Sequence, residues 1–481
     1  MINPTLDDLR ALGGYPLLPV WIESEITRGP AEAFLVLKRL SKQAYILESL
    51  EDTGERGRYT FLGYDPKLEI TCVDGVTTIK GQTTRTAGDP AAEISRILEQ
   101  NRTPIVDALP PFTGGLVGYF SFDYFQYAEP ALKLKAEDTE GFKDADLMLF
   151  DKVIAYDHLE GKLFLIANIR AENLEEEYAK AESELAYLAQ LIAAGEPAQM
   201  PKLQLESDWR ELLDERRYAQ MVAKAKDYIV DGDIFQVVLS NRLDADASGS
   251  LYETYLLLRE VNPSPYMFYF SSDDLEIAGA SPETLVRSRG GEAVTFPLAG
   301  TRRRGKDAEE DAALEAELLA DEKELAEHNM LVDLGRNDIG KLSEFGTVEV
   351  EQYLQILRFS HVMHIGSTVK GKLRSDVKPV DVVGAVLPAG TLSGAPKIRA
   401  CEIIDELEGV KRGVYGGALG YLGFNGELDT CIAIRIAYKK NGKVFVRAGA
   451  GVVADSVPEL EYKECRNKMG AVLAALEEAA K

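Results

Sequence analysis

Two pairs of glutamates, in distant parts of the chain, have the residue type and spacing of a metal site. Glu324 and Glu327 lie three residues apart in one predicted helix, and Glu461 and Glu464 repeat that spacing at the start of the last predicted helix. Residues three apart share a helix face, although a solvated face is the simpler interpretation of either pair alone. If the two faces meet, four carboxylates need a counter-charge, and the sequence then predicts Mg²⁺, which prefers oxygen ligands.

The histidines offer a different metal and a candidate base. His328 follows Glu327, but we disfavour zinc because no other His or Cys stands at zinc-ligand spacing. His361 and His364 are two of only four histidines, and they would share a face in a helix but oppose each other in a strand. An apolar-flanked histidine is usually a buried structural residue, so the pattern alone leaves a catalytic role open.

Small and basic residues near the C-terminus could bind an anion. The run from Arg447 to Gly451 lies between a predicted strand and the last helix, where small residues let backbone amides approach an anion. Arg466 and Lys468 follow closely, which suits a substrate that carries carboxylates. Arg435 lies among apolar neighbours, where it could form a structural salt bridge or bind a substrate carboxylate in a bidentate manner.

Two other kinds of chemistry are disfavoured by motif order. Residues 390–397, GTLSGAPK, are glycine-rich and open a predicted helix, but they lack the GxxxxGK[ST] order of a nucleotide-binding P-loop. No Ser or Cys stands in a GxSxG or similar nucleophile turn, so covalent acyl chemistry has no support.

Composition excludes further classes of partner. Fifty-four Lys and Arg against 79 Asp and Glu give a formal net charge of −25, which repels nucleic acid and anionic lipid, so we expect neither nucleic acid nor membrane as a partner. The four cysteines are widely spaced without a CxxC pair, which argues against a disulfide scaffold. The N-terminus lacks the features of a signal peptide, and no apolar run approaches the roughly 20 residues that span a bilayer. We therefore expect a cytoplasmic protein.

Hydrophobic patterns predict an α+β fold whose strands group in meanders. Residues 31–169 contain short strand-like runs, including FLVLKRL, YILESL and RYTFLGY, and predict an antiparallel sheet. Helices are predicted at 170–194, 214–230, 308–334, 380–386, 395–407 and 458–479, with strands grouped between them. The linker-like segment GEPAQMPK predicts a division into an N-terminal domain, 1–202, and a catalytic domain, 203–481.

Seven long motifs occur in the second half of the chain. They are PLAGTRRRG (297–305), DEKELAEHNMLVDLGRNDIG (321–340), FSHVMHIGS (359–367), LPAGTLSGAPK (387–397), YGGALGYLGF (415–424), TCIAIR (430–435) and RAGAGVVADSVPELEYKECRNK (447–468). Together they resemble the chorismate-utilising enzymes. The resemblance implies that family's fold, antiparallel β-sheets forming a sandwich core with helices packed outside, and a dicarboxylate substrate, chorismate.

Two positions separate the branches of this family. Members that add water to chorismate carry a lysine base where this chain has Gln236, and aminodeoxychorismate synthases carry a lysine where it has Ala299. The resemblance therefore favours the large subunits of anthranilate synthases, which use ammonia, with aminodeoxychorismate synthase as the alternative enzyme. A catalytically silent tryptophan-sensing subunit is the alternative from another class.

The resemblance also implies roles for individual residues. Glu327 and Glu464 would bind Mg²⁺ directly, and Glu324 and Glu461 would hold its waters. The residues implied to bind the substrate are Thr391, Tyr415, Arg435, Gly449, Ala450, Gly451 and Lys468. Glu283 would protonate the departing C4 hydroxyl, His364 would remove the C2 proton, and Gly300 and Thr301 would line the pocket.

Regulation and assembly are implied in the same way. A tryptophan-binding feedback site would be lined by Glu48, Ser49, Asn262, Pro265, Tyr266, Met267 and Cys431. None of the cysteines lies in a glycine-rich nucleophile turn, so a separate glutamine amidotransferase subunit would supply ammonia, in a heterodimer or heterotetramer. Free ammonium would serve as a substitute.

Overall fold

A computed structural model describes residues 2–50, 57–80, 84–358 and 362–481. The helices in these residues are α1 (Leu6–Ala11), α2 (Pro30–Lys38), α3 (Pro90–Gln100), α4 (Phe125–Ala128), α5 (Leu174–Ala194), α6 (Glu215–Val230), α7 (Tyr252–Val261), α8 (Ala308–Ala320), α9 (Glu322–Gly340), α10 (Pro379–Val386), α11 (Lys397–Glu408) and α12 (Pro458–Ala480). Two 3₁₀ turns lie at Phe122–Tyr124 and Gly390–Leu392.

The strands alternate with these helices in groups. Those before residue 203 are β1 (Leu17–Glu25), β2 (Ala44–Glu48), β3 (Tyr59–Tyr64), β4 (Leu68–Val73), β5 (Val76–Lys80), β6 (Thr84–Ala87), β7 (Gly115–Phe120), β8 (Ala145–Phe150), β9 (Lys152–Asp157) and β10 (Lys162–Arg170). Those between residues 203 and 303 are β11 (Gln204–Leu205), β12 (Arg210–Glu211), β13 (Gln236–Ser248), β14 (Tyr266–Ser271), β15 (Leu275–Ser281), β16 (Thr284–Arg289), β17 (Glu292–Thr295) and β18 (Leu298–Arg303). The last are β19 (Glu349–Arg358), β20 (Val362–Lys372), β21 (Gly394–Ala395), β22 (Ala418–Gly423), β23 (Leu428–Ile432), β24 (Ile436–Lys440) and β25 (Lys443–Val452).

Two large antiparallel sheets form a sandwich, which confirms the predicted fold class. One runs in the order β1-β10-β9-β3-β2-β14-β15-β24-β25-β13-β11 and the other β18-β20-β17-β16-β23-β22-β7-β8-β4-β5-β6. Aromatic side chains from both sheets meet between them, as where Tyr45 on β2 packs edge-on against Phe150 on β8 with ring centroids 4.8 Å apart. Helices cover the outer faces, for example α12 on β25 and α5 on β10.

Both sheets contain strands from each side of residue 202. In the first sheet β2 pairs with β14, and in the second β7 pairs with β22. The N-terminal and C-terminal segments therefore share both sheets and the core between them. The proposed division at residue 202 stays a prediction about function, because it does not coincide with a break in either sheet.

Two local predictions were wrong. The run FLVLKRL, expected as a strand, lies largely in α2, where Pro30 starts the helix and Phe34 and Leu37, three residues apart, both face the core. The helical stretch 308–334 is two helices, because Asp321 ends α8 and its side chain then caps α9 by accepting the backbone N–H of Lys323 and Glu324.

None of the described helices is both long and apolar enough to cross a bilayer.

Candidate active site

The two acidic helices meet at one cavity. Asp321 caps α9 and Pro458 starts α12, so each acidic pair lies within the first two turns of its helix. A cavity of about 790 Å³ is lined by all four carboxyl groups, those of Glu324, Glu327, Glu461 and Glu464. The structure thus brings together two faces that are more than 130 residues apart in sequence.

The ionised form is disfavoured for two of these carboxyl groups. Burial and the neighbouring Glu324 raise the pKa of Glu327, and burial is the main cause that raises the pKa of Glu461, with Glu464 adding to it. Cations offset part of this charge, with Arg302 Nη1 3.5 Å from Glu324 and Lys468 Nζ 2.7 Å from Glu464. Among the described residues no three His, Cys, Asp or Glu side chains are grouped closely enough to hold a metal ion.

Glu283 faces the same cavity from the turn between β15 and β16. Thr391, in the 3₁₀ turn at Gly390–Leu392, donates a hydrogen bond of 2.9 Å to its carboxylate. Burial raises the pKa of Glu283 to about 7, although Thr391 and Lys468 both act to lower it. A carboxyl group that titrates near neutral pH suits a general acid.

The glycine-rich segment around Thr391 has a role different from phosphate binding. Lys397, at its end, is buried and donates to Asp338 at 2.6 Å and to the carbonyl of Val386 at 2.9 Å. The lysine charge is thereby paired inside the protein, and the segment serves to hold Thr391 beside Glu283.

His364 lies on β20 and faces the cavity beside β18. Its Nδ1 is 2.8 Å from the carbonyl oxygen of Gly300 and 3.1 Å from Thr301 Oγ1. A carbonyl only accepts, so Nδ1 carries the proton and Nε2 carries the lone pair of the neutral ring. Burial lowers the pKa of His364, which favours that neutral form. Its sequence neighbour His361 lies outside the described residues.

His328 is not part of this site. It is fully buried, and its Nε2 lies 2.7 Å from Ser367 Oγ on β20. His328 is therefore adjacent to Glu327 in sequence but does not face the cavity, because successive side chains of a helix point in directions about 100° apart.

Arg435 is a half-buried cation that lines the same cavity. It occupies the break between β23 and β24 with φ 54°, and its Nη1 donates 2.9 Å to the carbonyl of Lys468. Within the described residues no carboxylate forms an ion pair with it, and burial lowers the pKa of its guanidinium. A partly desolvated guanidinium of this kind is suited to an incoming carboxylate.

Glycines on β25 shape the cavity floor. A Cβ on Gly449 would lie 2.8 Å from the carbonyl of Leu239 and 3.2 Å from the Tyr415 hydroxyl, and one on Gly451 would lie 2.7 Å from Gln236 Nε2. Ala450, between them, is fully buried and does not line the cavity, because alternate residues of a strand face opposite sides. Lys468 donates 3.0 Å to the carbonyl of Gly449.

A buried ion cluster supports this floor and was missed by the sequence analysis. Glu408 accepts hydrogen bonds from both Arg412 and Arg447. Arg412 also donates 2.6 Å to the carbonyl of Leu392 and 2.7 Å to that of Val238, so it ties the Thr391 segment to β13. Only the i,i+4 spacing of Glu408 and Arg412 could have signalled the cluster.

A second, smaller cavity lies beside the first. It has a volume of about 360 Å³, and the implied tryptophan-site residues that line it are Glu48, Ser49, Pro265, Tyr266, Met267 and Cys431. Asn262 lines the larger cavity instead, because it ends α7 before the chain turns into β14. Pro265, Pro282 and Leu298 line both cavities and form the wall between them.

The charged group Glu48 of the smaller cavity is paired, whereas one of the cavity's described hydroxyl groups is not. Glu48 is buried and pairs with Arg259 and the hydroxyl of Tyr255. Ser49 Oγ is buried, and it has no hydrogen-bond partner among the described residues.

Known proteins match this chain over nearly its whole length. The chorismate binding enzyme family matches residues 42–474. Anthranilate synthase component 1 of Acetivibrio thermocellus is 44% identical, covering 100% of this chain and 99% of that protein, and the one from Acinetobacter calcoaceticus is 45% identical, covering 96% of each.

Solved structures agree with these relatives. Anthranilate synthase component I from Streptococcus pneumoniae superposes with a TM-score of 0.75 at 38% identity, covering 88% of this chain and 93% of that one. The isochorismate synthase MenF of Escherichia coli has a TM-score of 0.70 at 21% identity, covers 98% of each chain, and shows the fold alone. The chain belongs to the chorismate binding enzyme family.

Proposed function

We propose that the chain is the chorismate-converting component of an anthranilate synthase, which forms anthranilate and pyruvate from chorismate and ammonia. The names of the relatives, 40–45% identical over nearly the whole chain, support this activity over that of aminodeoxychorismate synthase. The carrying observation is one cavity that holds a guanidinium without a carboxylate partner among the described residues, an acid of pKa about 7 and a histidine whose neutral form is favoured.

The substrate is held by its carboxylates. Arg435 would pair with the enolpyruvyl carboxylate, together with the hydroxyl of Tyr415 and the amides of Gly449 and Gly451. Lys468 and Thr391 would orient the ring. Arg302 and Lys468, the cations that lie beside the acidic helices, are consistent with a second anionic group on the substrate.

Glu283 would act as the general acid. Hydroxide is a poor leaving group, so the C4 hydroxyl departs as water only if it receives a proton. A carboxyl group whose pKa is about 7 still holds a proton in a large fraction of molecules at neutral pH. The Thr391 hydrogen bond fixes the orientation of this carboxyl group.

His364 would act as the base in the second half of the reaction. Loss of the C2 proton to Nε2 expels pyruvate and makes the ring aromatic. The carbonyl of Gly300 orients the imidazole through Nδ1. Gly300 has a positive φ of 66°, and its carbonyl faces β20, the strand that carries His364.

Mg²⁺ is the cofactor we propose for the acidic helices. The four glutamates line one cavity and supply the hard oxygen donors that Mg²⁺ prefers, so the chemistry of the donor set fits the ion, although the side chains would have to move closer together to hold it. Glu327 and Glu464 would hold it directly, and Glu324 and Glu461 would hold its waters. When bound, Mg²⁺ would neutralise the ring carboxylate of chorismate.

Ammonia must come from outside the chain. Burial raises the pKa of all four cysteine thiols, so none has the exposed thiolate that a glutaminase nucleophile requires. A separate glutamine amidotransferase subunit, in a heterodimer or heterotetramer, would deliver ammonia, with free ammonium as a substitute. The free, buried cysteines also support the cytoplasmic location that we propose.

The smaller cavity would bind tryptophan as a feedback inhibitor. It is apolar and aromatic over much of its wall, and Ser49 Oγ has no hydrogen-bond partner in the part of the chain that the structure describes. The shared wall of Pro265, Pro282 and Leu298 would let a ligand there influence Glu283, which follows Pro282 in the chain.

One assay tests the proposed activity. The chain is incubated with chorismate, Mg²⁺ and ammonium, and anthranilate fluorescence is followed with and without tryptophan. We expect anthranilate to form and tryptophan to suppress it. Aminodeoxychorismate as the product would favour the alternative enzyme, and absence of chorismate turnover would favour a silent tryptophan sensor.

A further inference from the structure

A third, small cavity adjoins the catalytic cavity at the general acid. Its volume is about 40 Å³, and Glu283, Thr391 and Leu331 line both cavities and so form the wall between them. Most of the other residues that line this rear cavity are apolar, as are Leu334 and Val386. One water molecule needs roughly 10–15 Å³ of such volume, so the rear cavity has room for at least one.

Asp338 brings a carboxylate oxygen to the rear cavity. It lies in the last turn of α9 and is 3% exposed. Its Oδ2 accepts 2.6 Å from Lys397 Nζ, but Lys397 does not line the cavity, so Oδ1 is the oxygen left to face it. This Oδ1 is buried and has no hydrogen-bond partner among the described residues. An ionised carboxylate only accepts hydrogen bonds, so Oδ1 requires a donor that a water in the rear cavity can supply.

Thr391 presents a second acceptor to the same cavity. Its hydroxyl has one proton, which it donates to Glu283 Oε1 at 2.9 Å. Toward the rear cavity the Thr391 oxygen can therefore only accept. A water molecule has two O–H donors, so a single molecule can satisfy both Asp338 Oδ1 and Thr391 Oγ1.

We propose that the rear cavity binds a water molecule that donates to Asp338 Oδ1 and Thr391 Oγ1, which makes Asp338 a positioning residue for the general acid. This inference rests on the proposed function of Glu283. The water keeps the Thr391 proton on the side of Glu283, so Oε1 accepts and the transferable proton of the carboxyl group lies on Oε2. Glu283 gives that proton to the C4 oxygen, which departs as water, and both carboxylate oxygens then accept.

Asp338 determines the direction in which this water donates. A hydrogen bond to an ionised carboxylate is roughly twice as strong as one between neutral groups, so the water points one O–H at Asp338. Among the described residues that line the rear cavity, Asp338 and Glu283 are the ones with an ionisable side chain. Asp338 does not line the catalytic cavity, so it acts on the acid without touching the substrate.

Replacement of the whole ion pair tests the proposal. Asp338→Leu combined with Lys397→Met leaves neither charge buried without a partner, and the larger leucine side chain displaces the water. The value of kcat and the KM for chorismate are measured with Mg²⁺ and ammonium at one fixed pH. We expect kcat to fall by about threefold or more while KM for chorismate stays within about threefold. A smaller fall in kcat, or one matched by an equal rise in KM, would overturn the proposal.

A double-mutant cycle shows whether Asp338 acts through Thr391. In the Thr391→Val background there is no hydroxyl to orient, so the pair replacement should change kcat by less than about twofold. In the Thr391→Ser background, which keeps a hydroxyl, the pair replacement should again lower kcat by about threefold or more. A fall of twofold or more in the valine background would mean that the pair acts on the fold in general, and the proposal would be wrong.

Thr295→Val is the matched control. It removes another hydroxyl that lines the rear cavity, one that donates 3.0 Å to the carbonyl of Leu285 and not to Glu283. We expect kcat within twofold of the parent. A fall in kcat as large as that of the pair variant would assign the effect to the packing of the cavity and would reject the role of Asp338.

A crystal structure of the parent chain tests the water directly, and it decides if the pair variant does not fold. We expect electron density for a water molecule within about 3.2 Å of both Asp338 Oδ1 and Thr391 Oγ1. A rear cavity without that density, or a water that reaches only one of the two oxygens, would refute the inference.

The activity of the parent chain separates this inference from the proposed function. If the parent makes no anthranilate from chorismate, Mg²⁺ and ammonium, the proposed function fails, whatever the rear cavity contains. If anthranilate forms but the bridging water or the coupling to Thr391 is absent, only this inference fails.

Discussion

The two adjoining cavities differ in how their polar groups are satisfied. The larger one gathers four carboxylates, an arginine without a carboxylate partner among the described residues, and an acid of pKa about 7. In the smaller one, Glu48 is already paired with Arg259, and aromatic side chains such as Phe61 and Tyr421 form much of the wall. This difference supports the proposal that bonds change in the larger cavity and that the smaller cavity only binds a ligand.

Removal of the divalent cation should produce the largest difference between the two cavities. With EDTA present, we expect anthranilate formation to fall to background, because four carboxylates would again repel the substrate anion. Tryptophan binding, measured by calorimetry, should stay unchanged, since Glu48 is neutralised by Arg259 within the protein. Full turnover in a sample shown by elemental analysis to lack metal would contradict the Mg²⁺ assignment.

Glu283→Gln should reduce turnover by about 10²- to 10⁴-fold, the usual contribution of a general acid. In the parent chain the protonated form of Glu283 predominates below about pH 7 and is lost as pH rises through that value. The value of kcat/KM for chorismate should therefore fall above about pH 7. The variant should lack this limb of the pH profile. An unchanged limb would assign it to another group.

The same substitution should affect stability in the opposite direction. Because the folded state holds the Glu283 proton to higher pH than the unfolded state, stability contributed by the protonated group is lost as pH rises through about 7. Glutamine has no such dependence. Thermal unfolding at pH 8 should therefore show the variant to be at least as stable as the parent, and a clear loss of stability would indicate that the carboxylate is a structural group.

Arg435→Leu should raise KM for chorismate by about 10- to 100-fold, which corresponds to the loss of a charge-assisted hydrogen bond of roughly 1.5–3 kcal/mol. Arg435→Lys keeps the charge but loses the bidentate geometry, and we expect an intermediate value. Tryptophan affinity should be the same in all three proteins. A KM unchanged in the leucine variant would show that another cation binds the enolpyruvyl carboxylate.

The smallest effect is expected in the smaller cavity. Ser49→Ala should weaken tryptophan binding by about 2- to 10-fold, the value of a neutral hydrogen bond, because Ser49 Oγ has no other partner among the described residues. Activity without tryptophan should stay within twofold. Ser183→Ala, on the outer helix α5, is the matched control and should change neither quantity.

Local patterns in the sequence predicted the parts of this molecule that depend on short-range spacing. The glutamate pairs, the capped helix α6 after Asp214 and the small residues of β25 are all visible in a window of a few residues. The resemblance to the family added Glu283 and His364, whose roles no spacing could supply.

The remaining features depend on contacts between distant residues. The cluster of Glu408 with Arg447 joins positions 39 residues apart, and its partners are fixed only when β13 and β25 pair. Asn262 was expected in the smaller cavity with Pro265, but Pro265 lines both cavities whereas Asn262 lines only the larger one. The pairing of β2 with β14 was likewise hidden, because alternating hydrophobicity defines a strand but not its neighbour.

The interleaved sheets also have a consequence during synthesis. Phe120 on β7 pairs with Ala418 on β22, a partner made roughly 300 residues later. At the usual rate of translation this is a wait of about 15–60 s, during which the edge of β7 can pair with the wrong strand. We expect the nascent polypeptide to need chaperone protection until the ribosome has released its final quarter.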